Sequence, residues 1–67
     1  MNNWKEIYKT SNRFEAYVVD GLLKDNDIPA VVLEQQDSNY KFGEFKVMVQ
    51  GENVISAKQL LSNNNIN

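Results

Sequence analysis

TSNRFEAYVVDGLLKDNDIPA, residues 10–30, is the stretch whose reading decides the fold, because it describes a capped helix that runs straight into a strand. Asn12 offers a side-chain oxygen to the first-turn amides, and Glu15, three residues on, is placed to reach back and close a capping box. At about 100° per residue, Ala16, Val18, Val19, Leu22 and Leu23 share one side of the helix. Phe14 lies at the edge of that stripe, Asp20 and Lys24 lie opposite, and Tyr17 falls on the polar side. Asn26 and Asp27 tolerate the left-handed conformation that ends a helix, and Pro29 forbids its continuation. No glycine stands there, so one of the two is predicted to take a positive φ. Gly21, inside the helix, predicts a close approach by another backbone.

Working outward, WKEIYKT (4–10) is rich in aromatic and β-branched residues and reads as a strand. Ile7 is its inward residue, which puts Tyr8 on the open face or at an edge. For Trp4 two readings stand side by side, the open face or a turn back to close the core. Downstream, IPAVVLEQ (28–35) is an almost continuous apolar run and reads as a second strand, with Val31 and Leu33 on one face and Ile28, Ala30 and Val32 on the other. Asp37, Ser38 and Asn39 form a turn cluster, and KFGEFKVMVQ (41–50) returns as a third strand with a bulge expected at Gly43. GENVISAKQLLS (51–62) is a second, shorter helix with Val54, Ala57, Leu60 and Leu61 on one face and Ile55 off it. The tail SNNNIN (62–67) is of low complexity and is expected to fray or be disordered.

The order β-α-β-β-α specifies an α+β, two-layer sandwich. A strand–helix–strand crossover makes the first two strands parallel, and the hairpin makes the third antiparallel to the second. The compact solution has sheet order 1-3-2 with both helices on one face, a ferredoxin-like split βαβ arrangement lacking its last strand. Ile7, Ala16, Val19, Leu22, Leu23, Ile28, Val47, Val49, Ala57 and Leu61 form its predicted core.

Composition narrows the function classes. With 67 residues the chain is one domain. It has no cysteine, which removes disulfides and thiolate metal sites, and no histidine, which removes the commonest general base and metal ligand. Seven basic and nine acidic residues are interspersed, giving net charge −2 and no basic block for nucleic acid. No apolar run is long enough to span a membrane and the N-terminus lacks the regions of a signal peptide, so a soluble, cytoplasmic protein is expected.

Asp20, Asp25 and Asp27 lack the spacing of a calcium loop and read as a solvated helix end. Glu34, Asp37 and Glu44 flank the hairpin without a cleft that would make a carboxylate pair catalytic. The loop DSNYKFG (37–43) is either an Asx-turn whose aromatics fold back over the core or a recognition loop. Tyr40 and Phe42 beside Lys41 and Lys46 would also suit stacking on single-stranded nucleic acid, which the net charge disfavours. The candidate binding residues are Trp4, Tyr8, Asp37, Ser38, Tyr40, Phe42, Met48 and Ile55. No catalytic, cofactor or metal residue is expected.

The pattern W-x-x-I-Y-x-T-x-N-x-x-E-A from Trp4 to Ala16, G-L-L at 21–23, I-P-A-V-V at 28–32, D-S-x-Y-x-F-G at 37–43, and the V-x-V strand followed by A-x-x-L-L resembles a known bacterial family. Its members are short domains of unknown function described as putative prokaryotic signal-transducing proteins, and the resemblance covers Trp4 to about Leu61. Asp27 departs from the pattern, standing where related sequences usually have a glycine. The resemblance implies a ferredoxin-like domain similar to small signal-transduction proteins of the PII type, and it supplies no catalytic residues.

The function expected from these readings is a regulatory or protein-interaction module that acts by binding, as a homodimer with an unidentified protein partner. The alternative is a small-ligand or metal-responsive sensor with its site between protomers.

Overall fold

The computed structural model of the chain describes residues 3–37 and 42–66. Strand β1 (Trp4–Thr10) leads into helix α1 (Arg13–Asp25), strands β2 (Ala30–Asp37) and β3 (Phe42–Gln50), a 3-10 turn (Gly51–Asn53) and helix α2 (Val54–Asn63). The sheet order is β1-β3-β2, and both outer strands run antiparallel to the central β3. This is the α+β, ferredoxin-like arrangement predicted, with both helices over one face. The molecule measures 36 × 28 × 16 Å, the shortest dimension being the depth of a single sheet and a single helix layer.

Alternation along β3 sorts the two sides. Val47 and Val49 have no exposed surface and meet Ala16, Val19 and Leu23 of α1 and Ala57 and Leu61 of α2. Ala30 of β2 completes this core opposite Val49. Of the predicted core residues, Ile7, Leu22 and Ile28 pack against it half-buried.

The bulge lies in β1 and not at Gly43. Gly43 pairs in unbroken register with Gln36, and its missing side chain leaves room for the Phe45 ring, 3.2 Å from where a Cβ would stand. In β1 the register slips between Glu6 and Tyr8, where one step on β3 is matched by two on β1. Ile7 is the extra residue, so Ile7 and Tyr8 both pack on the helix side. Of the two placements read for Tyr8, the open face or an edge, this removes the open face: Tyr8 lies on the edge strand with its side chain on the helix side. Trp4, paired with Gln50, keeps an open-face position, which resolves its two readings.

Helix α1 begins as the sequence specifies, with the Asn12 side chain accepting from the Glu15 amide at 3.1 Å. The reciprocal half of the capping box is absent. The Asn12 amide donates to Thr10 Oγ1 at 3.0 Å, and the Glu15 carboxylate turns to β1. Asp20 also departs from expectation, since it is buried beside Val19 and Leu23 and not solvated opposite them. The helix is rotated toward the flank that carries Asp20, which buries that carboxylate and leaves Phe14 and Val18 exposed on the other flank. Lys24 reaches its Oδ2 at 2.9 Å, while Oδ1 is buried without a hydrogen-bond partner among the described residues.

Both helices end in the same way. Asp27 has φ 62°, its amide donates to the Lys24 carbonyl, and Ile28 donates to Leu23, which together form a Schellman motif. Asn65, at φ 60°, repeats it after α2, with Asn65 donating to Ser62 and Ile66 to Leu61. Residues 62–66, for which fraying is expected, therefore finish the helix, and Ile66 packs on the core. Gly21 makes no close backbone approach, because a Cβ there would meet nothing within 4 Å.

Two substitutions test these backbone assignments. Gly21→Ala should stabilise the protein by about 0.5–1 kcal/mol through helix propensity alone. Asp27→Gly should stabilise it by about 1 kcal/mol by removing the left-handed strain. Urea denaturation checks both. A loss of stability in either variant would contradict the open space at Gly21 or the strain at Asp27.

Candidate functional site

Two surfaces emerge from this architecture. The first is a groove on the helix side, where the Ile7 bulge has turned Tyr8 toward α1. The Tyr8 hydroxyl donates to Glu15 Oε1 at 3.1 Å, and Thr10 Oγ1 donates to the same oxygen at 3.0 Å. The start of α1 is thereby fastened to the end of β1. The groove runs past this contact between α1 and the closing turn of α2. Phe14, Val18 and Val19 line one wall, Asn65 and Ile66 the other, and its volume is about 380 Å³. Its rim is apolar and open to water, with Phe14 76% exposed and Val18 47% exposed.

The second surface is the sheet face without helices. Register places Glu6, Met48 and Val31 in one row, Lys9, Lys46 and Leu33 in the next, and Trp4 beside Gln50 at one end. Trp4, Val31, Leu33 and Met48 are each half-buried. Two long ion pairs cross the face, Lys9–Glu44 at 3.5 Å and Lys46–Glu6 at 3.9 Å. Pairs so exposed contribute little to stability.

Over residues 4–65 the chain matches the family described as "Putative prokaryotic signal transducing protein". It belongs to that family. No curated protein and no solved structure matches it significantly. The family match spans every element, from Trp4 on the open face to Asn65 in the second Schellman motif.

The candidate residues do not converge on one site. Trp4 and Met48 share the open face, Tyr8 stands on the helix side, and Ile55 projects from α2, 81% exposed. Asp37 and Phe42 pair at the end of the hairpin, while Ser38 and Tyr40 lie outside the described residues. Glu34 and Glu44 occupy opposite faces, with Glu34 3.5 Å from Arg13 and Glu44 bound to Lys9. Arg13 also lies over the Tyr17 ring, 5.7 Å from its centroid. Among the described residues no group of acidic side chains could hold a metal ion, and no helix is long and apolar enough to cross a membrane.

The groove residues Phe14, Glu15, Val18 and Ile66 were not legible as a site. The apolar positions of α1 cover more than half of the helical wheel, so periodicity alone does not say which flank faces out. A buried Asp20 rotates the answer and leaves Phe14 and Val18, four residues apart, on the open side.

Tyr8 carries a pH signature. Burial first, then the hydrogen bond to Glu15 and that carboxylate's charge, hold its hydroxyl above the ordinary value. The folded protein thus binds this proton more tightly than the unfolded chain. Its stabilising contribution is present below the ordinary tyrosine pKa of about 10 and is lost as pH rises through the raised folded value. In thermal melts from about pH 8 to about pH 11, the wild type should fall further on the alkaline side than Tyr8→Phe. Parallel curves would remove this contact as the source of the alkaline loss.

Proposed function

We propose that this member of the family is a cytoplasmic regulatory module that acts by binding rather than catalysis, and that it works as a symmetric dimer through its helix-free sheet face. The observation that carries the reading is the composition of that face. Trp4, Val31, Leu33 and Met48 lie in adjacent rows, and among the described residues no other element covers them. A two-layer domain of this size without disulfides gains most from burying such a patch.

Charge supports a second copy as the occupant. Glu6, Glu44, Lys9 and Lys46 make the face neutral in sum and alternate in sign along it. A two-fold axis can set the lysines of one copy against the glutamates of the other, and the weak pairs within each copy cost little to redirect. Strand-edge pairing is less suited, because the Ile7 bulge and the exposed Lys5 and Lys9 interrupt the β1 edge.

Light scattering at roughly 100 μM should give a dimer mass that falls to the monomer in Met48→Lys, with the far-UV spectrum unchanged. A wild-type monomer at that concentration overturns the dimer. The same substitution with no effect on a wild-type dimer moves the contact off this face.

A further inference from the structure

We propose that the groove between α1 and the closing turn of α2 docks a segment of a partner protein, one that presents an apolar side chain next to a lysine or arginine. This gives the binding module its target site, and it stands on different residues from the dimer face, which lies on the other side of the sheet.

Three observations meet here. The first is apolar surface left without a neighbour. Phe14 is among the most exposed large side chains of the described residues, and Val18 sits one helical turn beyond it on the same side. An amphipathic helix laid along α1 would cover both, reading them as anchors four residues apart.

The second is charge. Among the described residues, Glu15 is the only charged side chain lining the groove, and no lysine or arginine lines it. The Tyr8 and Thr10 hydroxyls both donate to Oε1, which holds the carboxylate in place without neutralising it. Oε2 takes no hydrogen bond from another described residue. An incoming ammonium or guanidinium would find a fixed anion at Oε2 and the exposed Phe14 ring in the same groove, two groups that favour the same cation. An acidic segment would meet an uncompensated charge instead.

The third is size. About 380 Å³ is at the small end of ligand sites, which run from about 300 to 1,000 Å³. It suits two or three side chains of a longer segment better than a dinucleotide or another large cofactor. The wall that Ile66 supplies exists because the second Schellman motif turns the chain back onto Leu61. The groove is thus built by the fold itself and belongs to a single protomer.

The test uses two synthetic amphipathic helices of about 18 residues, one of leucine and lysine and one with every lysine replaced by glutamate. Amide chemical shifts of the full chain are followed during titration. The lysine peptide should perturb Glu15, Val18 and Ile66, and the glutamate peptide should leave them unmoved. Glu15→Gln should weaken the lysine peptide by about tenfold or more, as loss of a charged hydrogen bond does. Phe14→Ala should weaken it by about threefold or more. Both sites are solvent-exposed, so the variants keep the fold, which the spectra verify directly. Glu52→Gln, in the 3-10 turn before α2 and away from the groove, should leave affinity unchanged.

Equal binding of the two peptides, equal loss in Glu52→Gln and Glu15→Gln, or shifts confined to Met48 and Leu33 would each overturn the proposal. So would no binding of the lysine peptide at millimolar concentration. The Met48→Lys protein separates this site from the dimer, since it should bind the lysine peptide as the wild type does whether or not the dimer forms.

Discussion

Val47 and Val49 have no exposed surface because two helices meet over the central strand. The rest of the molecule depends on that burial. A three-stranded sheet offers one strand with neighbours on both sides, and only there can a side chain be covered from every direction by a single helix layer. Ala16, Val19 and Leu23 come from one helix, Ala57 and Leu61 from the other, and Ala30 from the flanking strand. Small residues recur at the contact points, which lets the helices lie close to the sheet. The described residues place no second layer beneath, so within the single chain the opposite face remains a surface and not an interior.

What the sequence reveals follows from which interactions are local. The three strands and two helices, the Asn12 cap and a left-handed residue at 26 or 27 depend on residues within a turn of one another and are readable from the chain. By contrast, β2 begins two residues later than read, and Gly51–Asn53 is a 3-10 turn ahead of α2. The order 1-3-2 follows as well, because the crossover and the hairpin leave few arrangements. The bulge at Ile7 is different in kind. It is a mismatch between two strands some forty residues apart, and no pattern within WKEIYKT announces it. Once it is present, Tyr8 moves to the other side of the sheet, Glu15 abandons the capping box for Tyr8 and Thr10, and the groove acquires its charged floor. Asp20 was missed for a related reason. Its burial depends on how the helix is rotated against the sheet, which its own neighbours do not encode. The family match gives the class of protein and leaves the site to be argued from geometry.

The two proposed surfaces divide the labour between the sides of one sheet. Neutral, alternating charge on the open face suits a copy of the same chain, whereas a lone carboxylate among apolar side chains suits a partner of opposite sign. The Tyr8 hydroxyl links the architecture to the second of these, since it both anchors α1 and orients the carboxylate. Binding at one side leaves the other free, so a dimer would present two grooves pointing away from its centre.

The Ile7 bulge also makes the sheet's two borders unequal. Strand β1 is bulged at Ile7 and carries exposed Lys5 and Lys9, features that oppose its pairing with a further strand. The outer border of β2 has no such interruption, since Ala30 to Asp37 pair with β3 without a slip and begin with Ala-Val-Val-Leu. Growth of the sheet by addition of further chains would therefore favour β2 and meet a poorly suited border on the next molecule. Head-to-tail stacking into a fibril is thereby disfavoured, because each added chain would offer a bulged, lysine-bearing β1 to the next.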